Sequence, residues 1–191
     1  SDIQTVARLR DYESAFFWLY DSRIVNIAYN TFAPTIGLVM NTERSTLRCY
    51  LADTGLLVSL AFGERGQMPV EVYERLLHDK LESNMGMVME NIVAQMLMAA
   101  GHKLFFYNHI DRKDASNDME IDFLITKSII TSRKNICPIE VKSSTSFTIT
   151  SLEKCMSKFN QSIGHAYVLH TGDVQLTDKI TYLPLYMTGL L

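Results

Sequence analysis

Two carboxylates and an ammonium interrupt apolar, strand-like runs in the second half of the chain. One run reads Met119-Glu120-Ile121-Asp122-Phe123-Leu124-Ile125, the other Pro138-Ile139-Glu140-Val141-Lys142. An unpaired charge in an apolar strand is strongly unfavourable, so charges in such positions call for partners. Side chains alternate faces along a strand, which puts Glu140 and Lys142 on one face and Ile139 and Val141 on the other. On its own strand Asp122 is expected opposite Ile121 and Phe123. The stretch from Lys127 to Asn135 suits a hairpin connection. Cross-strand neighbours lie roughly 4.5–5.5 Å apart at Cβ. Asp122 and Glu140 could then share one Mg²⁺ or Mn²⁺, a hard cation that Mg²⁺ chemistry holds through oxygens at about 2.0–2.1 Å. Such an ion lowers the pKa of a bound water and makes it a nucleophile. Lys142 would orient that water or stabilise charge developing on a phosphate.

A Glu-x-Lys triplet alone is a weak signal. Asp111-Arg112-Lys113 fits a similar pattern, but it lies in the polar loop Asp111 to Asp118 and reads as solvated. Strand context and the upstream Asp122 distinguish the Glu140 triplet. A third carboxylate comes from a predicted helix over 84–100, which Gly101 would end. Met85, Val88, Met89, Ile92, Val93, Met96 and Ala99 recur there at helical spacing. Glu90 falls at the edge of that apolar arc, next to Leu97. The plainer reading of Glu90 is a boundary carboxylate paired with a nearby Arg or Lys. The methionines read as adaptable core filler.

The predicted order is helix (84–100), strand (103–108), strand (119–126), strand (136–142), helix (151–163), strand (165–170). This αβββαβ order resembles the core of the PD-(D/E)XK nuclease-like superfamily. Glu90, Asp122, Glu140 and Lys142 fall where that superfamily places its helix acid, its metal-binding Asp and its E-x-K. A closer resemblance is to the uncharacterised C-terminal domain of a prokaryotic family of AAA-type P-loop ATPases. It rests on residues 50–57 (YLADTGLL), 90–95 (ENIVAQ), 120–124 (EIDFL), 138–144 (PIEVKSS) and 184–187 (PLYM), and spans nearly the whole chain. The resemblance implies a restriction-endonuclease-like α/β (α+β) fold. Asp122, Glu140, Lys142 and Glu90 would be catalytic, and Asp122, Glu140 and Glu90 would hold Mg²⁺ or Mn²⁺. DNA would be the substrate, and a P-loop ATPase domain upstream a partner.

The N-terminal third reads differently. A helix over about 5–20 precedes strand-like runs at 23–29 and 47–52, an order that resembles part of a winged helix. Asp53-Thr54-Gly55 opens a short apolar helix through Phe62, and Gly63 to Gln67 reads as a linker. Another helix is expected from Pro69 through Lys80. Two domains are therefore expected, 1–66 and 67–191. After the second carboxylate strand, Thr150-Ser151-Leu152-Glu153 has a capping-box pattern and Gly164 suits a helix terminus. A buried strand follows at 166–169, then a polar loop at 171–178 and a last strand at 180–187.

Composition suits a sizeable core: 191 residues, 47% of them hydrophobic. No run of 18 apolar residues predicts a membrane span, and no signal segment opens the chain. Three isolated cysteines suit reduced thiols in a cytoplasm and give no zinc spacing. Five scattered histidines read as ordinary surface or core residues. The net charge of −3 argues against strong nucleic-acid binding, but it is unevenly spread. Residues 102–160 carry 9 basic and 7 acidic side chains, and the remaining segments are net acidic. Lys154 and Lys158, one turn apart, could touch phosphate or form a solvated face.

Two functional classes remain at this level. One is a metal-dependent DNA phosphodiesterase gated by an ATPase domain. The other is a non-catalytic module that keeps the nuclease fold and binds DNA, a partner or the ATPase domain. No Gly is followed by Lys, so the chain has no phosphate-cradling Walker loop and no nucleotide is expected to bind. The purified chain should therefore show no ATP turnover. Turnover abolished by a point mutation in this chain would overturn that expectation.

Overall fold

A computed structural model describes residues 9–62, 85–127, 134–144 and 146–191. The linker expected at 63–67, the helix expected at 69–80 and the expected boundary at 66/67 lie outside the described residues. The N-terminal elements are α1 (Leu9–Asp21), β1 (Val25–Thr31), β2 (Thr42–Leu51) and α2 (Thr54–Phe62). Then come α3 (Met85–Ala99), β3 (Phe105–His109), β4 (Met119–Thr126), β5 (Ile136–Val141), α4 (Thr150–Lys158) and β6 (Ala166–His170). The chain ends with β7 (Gln175–Leu176), β8 (Ile180–Pro184) and a 3₁₀ segment, Leu185–Leu190.

From Met85 to His170 the elements follow the expected αβββαβ order. They belong to one mixed α/β sheet of eight strands, ordered β2-β1-β3-β4-β5-β6-β8-β7. β3, β4 and β5 pair antiparallel, while β5, β6 and β8 run parallel. The β1–β2 hairpin belongs to the same sheet, because β1 pairs in parallel with β3 through Tyr29 and Asn30. The segment expected as winged-helix-like thus contributes two strands beside the αβββαβ elements. The expected last strand stops at Pro184, and the final residues turn into the 3₁₀ segment.

Local signals explain some boundaries. Gly101 has φ +90°, a left-handed conformation that a side chain would strain. His102 N–H then donates to Leu97 O and Gly101 N–H to Met98 O, both at 3.0 Å, and this satisfies carbonyls at the end of α3. The capping box expected at Thr150 does not form. Thr150 is already helical, and Ile149 occupies the cap position without a side-chain bond. Nor does Gly164 end α4, which stops at Lys158. The sheet takes the chain first: Ser162 O accepts Ile136 N–H at 3.1 Å, and Ile163 bridges in parallel to Ile136.

The core forms two layers. Val93, Ala94 and Leu97 of α3 pack with Phe106, Phe123, Ile125, Ile139 and Leu169. Leu152 and Cys155 of α4 pack with Tyr107, Ile121, Leu124 and Val168. Strand and helix periodicity would bury Ile121, Phe123, Ile139, Val141, Met156, Phe159 and Val168 together, but these residues divide between the layers. Phe123, Ile139 and Val141 pack in the α3 layer, while Ile121, Val168, Met156 and Phe159 pack in the α4 layer. Irregular pairing on β4 accounts for the parting of Ile121 from Phe123. Phe105 pairs with Leu124 but Tyr107 pairs with Ile121, so three steps on β4 face two on β3. Such a bulge shifts the alternation and re-aims the side chains beside it.

One polar clamp ties α3 to the N-terminal hairpin. Asn91 is buried, and its side-chain amide pairs with the backbone of Leu51 on β2. Leu51 N–H donates to Asn91 Oδ1 at 2.8 Å, and Asn91 Nδ2 donates to Leu51 O at 3.0 Å. Asn91 Nδ2 also donates to Thr54 Oγ1 at 2.9 Å. Gln95, one turn on, accepts from the Thr54 hydroxyl at 3.0 Å. Asn91→Ala leaves both Leu51 backbone groups without this partner. It should cost about 2–4 kcal/mol, since each buried polar group left unpaired costs roughly 1–3 kcal/mol. Urea unfolding checks this, and a loss below about 0.5 kcal/mol would show that the clamp is replaceable.

Candidate metal and phosphodiester site

The site lies where β4 and β5 stop pairing. Their ladder runs from Thr126–Ile136 to Phe123–Ile139. One step further would place Asp122 against Glu140. There Asp122 accepts the Val141 N–H through Oδ2 at 2.8 Å, a bond from side chain to backbone.

Glu140 is 4% exposed, unusually low for a carboxylate. Its Oε2 lies 2.7 Å from Lys142 Nζ, so the E-x-K pair is made within one strand. Its Oε1 is buried and has no hydrogen-bond partner among the described residues. Burial first, and then the charge of Asp122, push the Glu140 pKa up to about 7 despite Lys142. Asp122 is also raised, chiefly by burial, although the Val141 N–H and Arg48 oppose the shift.

Glu90 opens the stripe Glu90, Val93, Ala94, Leu97 on α3, and the last three are buried. The helix therefore turns Leu97 fully inward, and Glu90 sits at the head of its buried face. Tyr50 OH donates to Glu90 Oε2 at 3.4 Å. Burial and then the nearby Asp122 charge push the Glu90 pKa up to about 7. Of the site's two strand carboxylates, Asp122 is the one whose charge acts on Glu90.

Sequence reasoning missed Arg48 and Glu120 as parts of this cluster. Arg48, on β2, pairs with Glu120 on β4 and lies 3.9 Å from Asp122 Oδ1. Its guanidinium sits 4.5 Å over the Phe106 ring. Burial disfavours its charge, but Tyr50, Glu120 and Asp122 together raise its pKa. The available signal was the Arg48-x-Tyr50 spacing on a strand, which places both side chains on one face. Elsewhere, Lys154 donates to Ser116 O at 2.5 Å and Lys158 lies over Phe159, so each expected phosphate contact has a local partner.

No group of three His, Cys, Asp or Glu side chains among the described residues forms a metal-binding set. Asp122 and Glu140 are the two carboxylates that could hold Mg²⁺ or Mn²⁺, since the charge of Asp122 acts on Glu140. Mg²⁺ commonly takes one or two carboxylates and keeps several waters. The unpartnered Glu140 Oε1 and the mutual repulsion of the two carboxylates are the features a cation would relieve.

The family described as a domain of unknown function (DUF4143) matches residues 85–187, and the chain belongs to that family. No curated protein and no solved structure matches the chain. Among the described residues no helix is long and apolar enough to cross a membrane.

The raised carboxylates make stability depend on pH. Glu90 and Glu140 rise from an ordinary 4.5 to about 7, so the folded chain holds their protons more tightly than the unfolded chain. Their contribution therefore favours folding at low pH and declines as pH rises from about 4.5 to 7. Glu90→Gln keeps an acceptor for Tyr50 and removes the buried charge. It should stabilise the protein by about 1–2 kcal/mol at pH 8, allowing for partial exposure, and by little at pH 5. Thermal melts at both pH values test this. Equal effects at both would show that Glu90 is an ordinary solvated acid.

Proposed function

We propose that this DUF4143 protein is a divalent-metal-dependent DNA phosphodiesterase of the restriction-endonuclease-like type. The observation that carries the reading is the buried, unpartnered Glu140 Oε1 beside Asp122, with Lys142 on the other Glu140 oxygen. A carboxylate in that state suits a cation ligand better than a structural ion pair, because half of it remains unanswered.

Asp122 and Glu140 would hold Mg²⁺ or Mn²⁺, and Glu90 would act on them through its charge and not as a ligand in the same set. When bound, that ion supplies an activated water and positive charge beside a phosphoryl oxygen. Lys142 keeps Glu140 oriented and presents an ammonium at the site. Val141 N–H fixes the Asp122 carboxylate. The Asn91 clamp places Glu90 beside Tyr50. The resemblance of residues 50–57, 90–95, 120–124, 138–144 and 184–187 to the C-terminal domain of AAA-type ATPases supports a P-loop ATPase domain as the partner that gates access.

A specific observation favours the second reading, a non-catalytic module that binds DNA or the ATPase domain. Asp122 and Glu140 each already face an organic cation, Arg48 and Lys142, and can be neutralised without a metal.

Calorimetry with Mn²⁺ separates the two, together with cleavage assays on single-stranded, duplex and branched DNA, with and without the ATPase region. On the catalytic reading Asp122→Ala and Glu140→Ala abolish cleavage and weaken metal binding, typically by more than 10-fold for a lost charged ligand. Lys142→Ala keeps the metal and loses rate, by roughly 10²-fold. Glu90→Ala is milder. Absence of both cation binding and cleavage in the wild type would leave the binding-module reading.

A further inference from the structure

We propose that Arg48, supplied by the N-terminal hairpin, is the phosphate-binding cation of this site, so that the hairpin completes the site that the 85–187 segment begins. The inference rests on the phosphodiester reading above, and it adds a substrate-contacting residue outside the segment matched by the family.

The first argument is charge. Glu90, Glu120, Asp122 and Glu140 bring four carboxyl groups to the cluster against two cations, Arg48 and Lys142. Lys142 is committed to Glu140 Oε2 at 2.7 Å. A phosphodiester approaching such a cluster meets repulsion unless a second cation faces it. Arg48 is the other cation of the cluster, and its own ion-pair partner, Glu120, is largely exposed whereas the partner of Lys142 is buried.

The second argument is placement. The Arg48 side chain is 22% exposed, so it is reachable from solvent, and Glu120 and the Phe106 face hold it in position. Its Nη1 stands 3.9 Å from Asp122 Oδ1. That distance gives attraction without a hydrogen bond to Asp122. A guanidinium held by the Phe106 face, Glu120 and the Tyr50 hydroxyl is fixed in orientation, and its five N–H donors outnumber those partners, so part of its planar fork can still meet phosphate oxygens. Glu120 is largely exposed, so it can hold Arg48 without closing the site.

The third argument is contrast with the other basic candidates. Lys154 and Lys158 each have a local partner away from this cluster. Arg44 lies on the same strand and is exposed, but it borders a different cavity, with Phe17, Tyr20 and Lys103. It is therefore a matched control for the loss of one positive charge.

The test measures anisotropy of a fluorescein-labelled oligonucleotide across a salt series, with Mn²⁺ calorimetry on the same samples. Arg48→Met keeps the apolar stem over Phe106 and removes the fork. It should weaken oligonucleotide binding by about 10-fold and lower the salt slope by about one, with Mn²⁺ affinity retained or increased. Arg44→Met should change oligonucleotide binding by less than about 2-fold. An Arg48→Met protein with wild-type affinity and salt slope sinks the inference, and so does an equal loss in Arg44→Met. If Arg48→Met fails to fold by circular dichroism, Arg48→Lys decides. It keeps the charge and loses the fork, so binding should fall with the salt slope unchanged, and unchanged affinity overturns the proposal. A wild type that binds oligonucleotide through Arg48 but takes up no Mn²⁺ sinks the metal reading alone.

Discussion

Removing the carboxylates of Asp122 and Glu140 from water where β4 and β5 separate is costly, and much of the surrounding structure answers that cost. Val141 N–H meets one Asp122 oxygen, Lys142 meets one Glu140 oxygen, and Arg48 stands off the other side of Asp122. The Glu140 oxygen left over has no protein partner among the described residues. A purely structural ion pair would gain from satisfying it or from replacing the pair with apolar side chains. The strain is electrostatic, and it is local to the one place in the β4–β5 ladder where backbone pairing gives way.

That opening is held from a distance. α3 carries Glu90 on the same turn as Asn91, and Asn91 takes over the strand-like pairing of Leu51. The clamp sets the register between α3 and the end of β2. It therefore brings Tyr50 to Glu90 and places Arg48 of the same strand within reach of Glu120 and Asp122. The stretches at 50–57 and 90–95 thus have a physical reason to occur together. They are two halves of one hydrogen-bonded joint, with Asp53 Oδ1 also accepting the Leu56 N–H at 2.9 Å at the start of α2.

The central elements were legible because their signals are local and repeated. Alternating apolar runs defined β4, β5 and β6, and a 3.6-residue spacing with Gly101 defined α3 and its end. The capping box at Thr150 and the stop at Gly164 were misleading for the opposite reason. Both are short patterns, and at Gly164 a bridge from Ile163 to Ile136 outweighed the local signal. The single core expected for Ile121, Phe123 and Phe159 also failed, because one bulge in β4 breaks the alternation on which that expectation rests.

By itself the sequence determined the αβββαβ order, the strands that carry Asp122, Glu140 and Lys142, and the helix that carries Glu90. These follow from periodicity, which each segment encodes within itself. Only the tertiary structure decided that the N-terminal hairpin joins the same sheet, that Asn91 clamps it, and that Arg48 arrives beside Asp122 from 74 positions earlier in the chain. Long-range pairings of this kind depend on register and on a bulge. Neither leaves a local mark, because the free energy that selects them comes from groups that are strangers in sequence and meet only after the chain has folded.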